Sequence, residues 1–394
     1  MSPAPPIYLD HHATTPVDPR VVEAMSPWWT ADFGNPASRT HVFGWRAEAA
    51  VEAARETLAR AVGAASPQEI VFTSGATESD NLALTGVARA LRNRGDHIVT
   101  VASEHPAVLD TARALAAEGF RITELPVDRA GFVDPDDVAR ALTDRTVLVS
   151  VMWANNEIGV LQPIEAIAER CRARGVLFHS DAAQAVGKVP VDVGAAGVDL
   201  LSFTAHKLYG PKGIGALRVR RSRPRVRVEP LIHGGGHEGG LRSGTLPVPL
   251  IVGFARAVEL ALAEREAEAA RLTALRTRLL ERLRAELDGV FVNGDLERRL
   301  PGNLNVGFTG VDADALLAAL PELAISTGSA CASARAQRSH VLRALGLSEA
   351  ELAASVRIGL GRTTTEAEVD AAAERLVAAV RAQRARRAPA ARPA

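Results

Sequence analysis

Cysteine is scarce in this 394-residue chain: only Cys171 and Cys331 occur. Two thiols make no disulfide framework, and the simple inference is a reducing, cytoplasmic setting. Net charge is also missing, since 46 basic side chains are matched by 46 acidic ones. That balance argues against an obligate polyanionic partner, so no direct nucleic-acid binding is expected. The basic run RSRPRVRVE at 221–229 lacks interleaved aromatic rings and reads as a solvated face. Long apolar runs are absent as well. The most apolar window, 248–263, is broken by Arg256 and Glu259 and is shorter than the roughly 20 residues a membrane span requires. The opening MSPAPPIYLD has neither a basic n-region nor an apolar core, so no secretory signal and no membrane attachment are expected. No GxxxxGK[ST] pattern occurs, which counts against a P-loop triphosphate site. No internal repeat is visible.

What is present is a large apolar fraction, 47%, enough for a sizeable core and two or three domains. Residues up to about 34 are punctuated by prolines and read as irregular. A helix is expected over about 45–62. Short apolar runs then alternate with helical patterns: strands over 69–73, 97–102, 121–127, 147–153, 176–179, 200–203 and 215–219. Seven such strands predict an α/β fold with a large, mostly parallel seven-stranded sheet covered by helices. A Gly-rich connection leads into a long helix over about 248–287. A smaller α+β unit follows, with strands near 291–293, 303–308, 324–326 and 355–359. Its last helix starts at Thr365, which has capping-box spacing to Glu368. The expected division is a small domain from 1–15 plus about 260–383, a large domain over about 16–259, and a disordered Ala/Arg/Pro-rich tail over 384–394.

The stretch 199–215, DLLSFTAHKLYGPKGIG, organises the rest. An apolar strand ends in Thr204, His206 and Lys207, and open α/β sheets bind ligands where strands end. A partly desolvated lysine can form a Schiff base with a carbonyl compound. SGAT (Ser74 to Thr77) lies between a strand and a helix, where Gly75 permits close backbone approach and free N–H groups and the Thr77 hydroxyl make a phosphate seat. Asp181 closes another strand and must be paired. His105 follows a third strand and can stack on a flat ring or move protons. Asn156 and Gln184 are neutral groups able to hydrogen-bond a phenolic oxygen. Singly, each has an ordinary explanation: a surface lysine, a common turn, a helix N-cap, a structural histidine. Together they meet the demands of one cofactor, pyridoxal 5′-phosphate (PLP), carried on Lys207 with Asp181 on its pyridine nitrogen.

The two thiols read oppositely. Cys331 sits among small residues in STGSACASA and reads as an accessible, reactive nucleophile. Cys171, in the helical run IAERCRARG, reads as structural, although Arg170 and Arg172 beside it are able to lower its pKa. DHHATTP and HGGGHE tempt a metal reading. Adjacent histidines rarely converge on one ion, and three glycines between ligands fix no geometry, so no metal site is expected.

The chain resembles the cysteine desulfurases of the NifS/IscS group, in the class V aminotransferase branch of fold-type I PLP enzymes. The motifs that carry the resemblance run in order from YLDHHATTPVDPR through FGNPASRTH, EIVFTSGATESDNLA, SEHPAVLD, NNEIGVLQPI, HSDAAQAVGK, SFTAHKLYGPKGIGAL, HGGGHEGGLRSGTLP and STGSACASA to SVRIGLGRTTTE. The resemblance implies that Lys207 holds PLP and moves the Cα proton, with His105 stacked on the ring and assisting. It implies that Ala76, Thr77, Thr204 and His206 bind the phosphate, with Thr245 reaching across from the second subunit of a homodimer. Asn156 and Gln184 would contact the ring oxygen. Arg357 would hold the substrate carboxylate, and Cys331 would take sulfur from L-cysteine as a persulfide, releasing alanine. Sulfur acceptors in iron–sulfur assembly, through a scaffold or carrier protein, or in tRNA thiolation are the implied partners. The sequence departs from the family at His11 and His12, at Gly359, at 335–338, and in a tail unlike the aromatic and acidic extension that engages the scaffold. Competing readings are a selenocysteine lyase or another class V PLP enzyme, and a PLP-fold scaffold without chemistry that docks sulfur-transfer proteins.

Overall fold

The computed structural model describes residues 6–222, 224–328 and 338–387. Its strands, in chain order, are β1 (Ile7–Tyr8), β2 (Ile70–Thr73), β3 (His97–Val101), β4 (Arg121–Leu125), β5 (Thr146–Ser150), β6 (Leu177–Asp181), β7 (Leu200–Thr204), β8 (Gly215–Val219), β9 (Val290–Val292), β10 (Asn303–Phe308), β11 (Leu323–Ala324) and β12 (Ser355–Gly359). Seven of them form one sheet in the order β2-β8-β7-β6-β5-β3-β4. All its pairings are parallel except those of β8, which runs against both β2 and β7. Strands β2, β3, β5, β7 and β8 are buried along their whole length, as expected of a sheet with helices on both faces. The edge strand β4 exposes Arg121 and Glu124, charges that discourage further pairing.

The Val248–Glu286 helix joins two hydrophobic cores. Residues Val248 through Ala261 pack into the core of the large sheet, whereas Leu272 through Leu283 pack into a second core with β1, β10, β12 and the Glu366–Arg387 helix. That second unit holds the antiparallel sheet β12-β10-β9 and the parallel pair β1-β11. The Thr365–Glu368 capping box is present: Glu368 N–H donates to Thr365 Oγ1 at 3.2 Å, and Thr365 N–H to Glu368 Oε2 at 2.8 Å.

Two expectations are corrected, and one helix was not anticipated. The segment before Gly34 is not irregular: helices run over Pro19–Met25 and Pro27–Thr30. Pro19 and Pro27 occupy first helical positions, where a missing N–H costs nothing, and Asp18 caps the first helix. A further helix, Pro135–Ala141, starts the same way behind Asp134. The tail expected to be disordered from 384 stays helical through Arg387. Alanine and arginine are good helix formers, the Arg384 guanidinium holds the carbonyls of Thr309 and Asp288, and Gln383 brackets the Asp312 main chain from both sides. The remainder of the tail, 388–394, lies outside the described residues.

Candidate active site

The site forms where β7, β6 and β2 end on one edge of the large sheet. Beyond Thr204 the chain turns through a single 3-10 turn, Ala205–Lys207, and Tyr209 enters the left-handed region at φ 65°. The N-terminal loop pins that unfavourable backbone: Tyr209 N–H donates to Thr15 Oγ1 at 2.8 Å and Asp18 N–H to the Tyr209 carbonyl at 3.0 Å. The same loop supplies the resting place of the lysine. Lys207 Nζ donates to the His12 and Ala13 carbonyls, each at 2.7 Å. Gly215 lets β8 close in behind, since a Cβ there would lie 2.7 Å from the Gly75 backbone.

A cavity of about 490 Å³ opens above Lys207. One end is the start of the Ala76–Ala90 helix, whose first turn no side chain caps. Ala76 and Thr77 line this end together with Thr204, His206 and Lys212. His206 Nδ1 lies 3.1 Å from Thr14 Oγ1, and burial followed by the Lys207 and Lys212 charges lowers its pKa to about 4. Glu78 also reaches this end, a carboxylate that would repel an anion. Arg242 Nε at 2.9 Å and Ser74 N–H at 2.6 Å occupy it. An uncapped helix start next to cationic side chains is a phosphate cradle.

The opposite end holds Asp181, the last residue of β6. Burial raises its pKa, opposed by the Ala183 N–H at 2.8 Å and by the Lys207 charge. A second buried carboxylate, Asp80, is raised in the same way by burial and by Asp181. Between these elements His179 is held from both sides, by Ser150 Oγ and Ser202 Oγ at 2.9 Å each. Buried acids so placed favour a cationic ligand group, and a protonated pyridine nitrogen is one. His105 caps the Pro106–Ala117 helix, its Nδ1 accepting from Ala107 N–H at 3.1 Å. Burial, then Lys207 and His340, lowers its pKa to about 4. It is therefore a neutral ring with its proton on Nε2, suited to stacking.

Asn156 and Gln184 also line the cavity. Asn156 Oδ1 is buried with no hydrogen-bond partner. Gln184 spends its Oε1 on Lys188 Nζ at 2.8 Å and His12 Nδ1 at 3.1 Å, and gives one Nε2–H to the His12 carbonyl at 2.9 Å. Arg357, on β12 of the second unit, is 1% exposed yet lines the same cavity. Asp10 holds one terminal nitrogen at 2.7 Å and the Asn156 carbonyl the other at 3.1 Å, while its Nε is buried without a partner. A half-neutralised guanidinium with a spare N–H is ready for a carboxylate.

The structure thus brings Lys207, Asp181, His105, Ala76, Thr77, Asn156, Gln184, Thr204, His206 and Arg357 to one cavity. Thr245 is exposed and does not line it. Cys331 lies outside the described residues. The chain on either side of it meets the cavity wall. Ser326 bridges to Arg357, the Ser339 hydroxyl donates to the Glu157 carboxylate, and His340 Nε2 lies 2.8 Å from the Glu104 carbonyl. Cys171 is buried in the core, and burial followed by Asp199 pushes its thiol up to about 12. The structural reading of Cys171 stands, but the idea that Arg170 and Arg172 lower its pKa is wrong: their side chains are half-exposed, with Arg170 turned to Asp136. Sequence reasoning missed Asp10, Lys188 and Lys212. Only spacing hinted at them, with Lys188 four residues past Gln184.

The class-V aminotransferase family model matches residues 7–372. A cysteine desulfurase IscS from Anaeromyxobacter dehalogenans (strain 2CP-C) is 58% identical over 365 residues, 93% of this chain and 90% of that protein. Among solved structures, a NifS-like protein superposes with a TM-score of 0.88 at 38% identity, covering 95% of this chain and 98% of its own. SspA in complex with cysteine superposes at 0.79 with 40% identity, covering 90% and 98%. By these matches the chain belongs to the NifS/IscS cysteine desulfurases, within the fold-type I PLP enzymes of the class-V aminotransferase family.

Proposed function

We propose that the desulfurase reaction of this family, L-cysteine to L-alanine with the sulfur kept as an enzyme persulfide, runs in the cavity above Lys207, with Cys331 as the sulfur acceptor. One observation carries the reading: a lysine, an uncapped helix start, a buried carboxylate, a neutral imidazole and a buried arginine with a spare N–H all line one cavity of about 490 Å³. These groups fit PLP. The helix start with Thr77, Thr204 and His206 suits its phosphate, Asp181 its ring nitrogen, His105 a ring face, and Asn156 and Gln184 its ring oxygen. When bound, PLP supplies an electron sink for charge that develops on the amino-acid carbons.

The chain's own groups do the rest. Lys207 Nζ would hold the cofactor and serve as the base for the Cα proton; the His12 and Ala13 carbonyls hold that nitrogen in place. Arg357 orients the substrate carboxylate. The Cys331 thiolate attacks the substrate sulfur, forming an S–S bond as the C–S bond breaks. The released electron pair stays with the carbon side, and a proton delivered there completes the methyl group of alanine.

We divide the chain into a small domain of 1–15 plus about 260–383 and a large domain of about 16–259; the second core supports this, although Leu300, Val341, Leu342, Leu345, Leu347 and Leu352 pack into the core of the large sheet. A homodimer is supported by the exposed aromatic segment of Trp29 (58%), Phe33 (66%) and Trp45 (54%); in it the exposed Thr245 would contribute to the partner's cavity. Among the described residues no helix is long and apolar enough to cross a membrane. We place the enzyme in the cytoplasm, handing sulfur to acceptor proteins of iron–sulfur assembly or tRNA thiolation.

The test is alanine and sulfide release from L-cysteine, with and without reductant, by wild type and Cys331→Ala. Alanine from the wild type alone supports the reading. Equal alanine from both removes Cys331 from the chemistry and favours direct elimination, the course of a lyase. A PLP-loaded wild type making no alanine has another substrate.

A further inference from the structure

Behind the active-site wall lies a second cavity of about 30 Å³, roughly the space of one water. His12 lines both cavities, and Lys188 lines only the second. Lys188 belongs to the turn that follows β6 and touches no part of the larger cavity. Yet a continuous set of hydrogen bonds joins it to the reactive lysine. Lys188 Nζ donates to Gln184 Oε1 at 2.8 Å. Gln184 Nε2 donates to the His12 carbonyl at 2.9 Å. That carbonyl accepts from Lys207 Nζ at 2.7 Å.

The chemistry of the first link decides the rest. A carboxamide can turn over and exchange its oxygen with its nitrogen at almost no steric cost. An ammonium has only donors, so Lys188 requires the oxygen to face it. With Oε1 so placed, His12 must carry its proton on Nδ1 to donate across 3.1 Å, and Nε2–H must face the His12 carbonyl. The second Nε2–H is then left for the active-site cavity. Were the amide reversed, Oε1 would oppose the His12 carbonyl, two acceptors in contact.

We propose that Lys188 is a positioning residue of the active site: it fixes the Gln184 carboxamide, and through it the His12 main chain on which Lys207 Nζ rests. Its charge also acts at short range on the Lys207 nitrogen. Burial first, then Lys207 and Arg357, lower the Lys188 pKa to about 7, with Glu268 opposing. The charge at this position therefore changes within the neutral range. The other groups that face it are His11, His12 and Tyr209 from the N-terminal loop and the lysine turn, Arg265 and Glu268 from the long helix, and Arg357 from β12. Burial lowers His11 to about 4, holds His12 well below its ordinary value and raises Tyr209, so these three stay neutral across that range.

The inference rests on the reading that PLP is carried on Lys207. The experiment uses the PLP-loaded enzyme as wild type, Lys188→Met and Lys188→Arg, with Lys207→Ala as a control. It follows the visible absorbance of the bound cofactor against pH, together with kcat and KM for alanine formation. Removing a nearby cation favours protonation at Lys207, so Lys188→Met should raise the midpoint by about half to one pH unit. Its kcat should fall roughly tenfold while KM moves less than about threefold, the pattern of a misplaced catalytic group. Lys188→Arg should restore the midpoint and part of kcat. An unmoved midpoint in Lys188→Met overturns the inference, whether kcat is retained or falls together with the melting temperature. If the Met variant does not fold, Lys188→Gln keeps a donor without the charge and should move the midpoint in the same direction. A wild type without a visible band, or a band that survives Lys207→Ala, removes the underlying reading and this inference with it.

Discussion

Buried charge is handled in two ways in this molecule. Along the β2–β8 edge every buried ion is answered. Arg218 Nε reaches Glu69 Oε2 at 2.8 Å, and its Nη1 the Val198 carbonyl at 2.7 Å. Arg55 forks onto both oxygens of Glu238 at 2.8 Å and also takes the Ile70 carbonyl at 2.8 Å, while Glu238 accepts Phe72 N–H at 2.7 Å. Around the cavity the opposite holds: Asn156 Oδ1, Arg357 Nε and His12 Nε2 are buried without hydrogen-bond partners. Buried polar atoms are nearly always satisfied, so a cluster that is not marks where a ligand completes the set. The first region holds the fold together. The second holds capacity in reserve for cofactor and substrate.

That contrast can be broken at its strongest point. Glu238→Ala leaves the buried Arg55 with only the half-exposed Glu52 carboxylate and the Ile70 carbonyl, and should lower unfolding free energy by about 3 kcal/mol, read from urea midpoints at fixed protein concentration. The PLP-loaded enzyme that remains folded should keep its kcat. Loss of kcat without loss of stability would merge the two regions. On the cavity side, Arg357→Ala should cut kcat/KM for L-cysteine by about a hundredfold or more, because a desolvated carboxylate loses its charged partner. Arg357→Lys should recover only part of this, since an ammonium does not offer the planar fork.

A smaller effect concerns acid. His179 is fully buried and its pKa is depressed to about 3 by burial, so the folded chain keeps it neutral where the unfolded chain protonates it. Its contribution to stability is intact above the ordinary histidine pKa near 6.5 and is lost as pH falls toward 3. At pH 5 the loss should be about 2 kcal/mol relative to pH 7. Comparing urea midpoints at the two pH values for wild type and His179→Asn isolates the share due to this ring. An equal acid loss in both proteins would assign the sensitivity elsewhere. The smallest effect belongs to Cys171. With its thiol pushed up to about 12, a thiol reagent at pH 8 should leave it unmodified in the native protein and label it only after unfolding. Cys171→Ala should leave kcat unchanged and cost about 1 kcal/mol of stability.

Much of this was legible along the chain. The seven strands of the large sheet are short apolar runs, and burial on both faces makes such runs conspicuous. The polar residues that end them, Lys207, Asp181, His105 and Thr77, each have an ordinary explanation singly and stood out because one cofactor accounts for all of them together. The misreadings have equally physical causes. Pro19 looked like loop punctuation, yet it stands, like Pro27, at a first helical position, where proline fits the helix. Arg170 and Arg172 are neighbours of Cys171 in sequence, but a helix points adjacent side chains in different directions, and the thiol feels burial and Asp199 instead.

The sequence by itself determined the sheet, its ligand-binding edge and the residue types that chemistry would need, because those follow from local apolarity and from groups that cannot be buried unpaired. Tertiary structure decided which of those residues meet. It set Arg357 from β12 beside Asp10, and laid the His12 and Ala13 carbonyls under Lys207 from almost two hundred residues away. It also tied Lys188 into the same network through Gln184. These contacts depend on how two cores joined by one long helix close over the sheet edge, and no spacing in the chain encodes that.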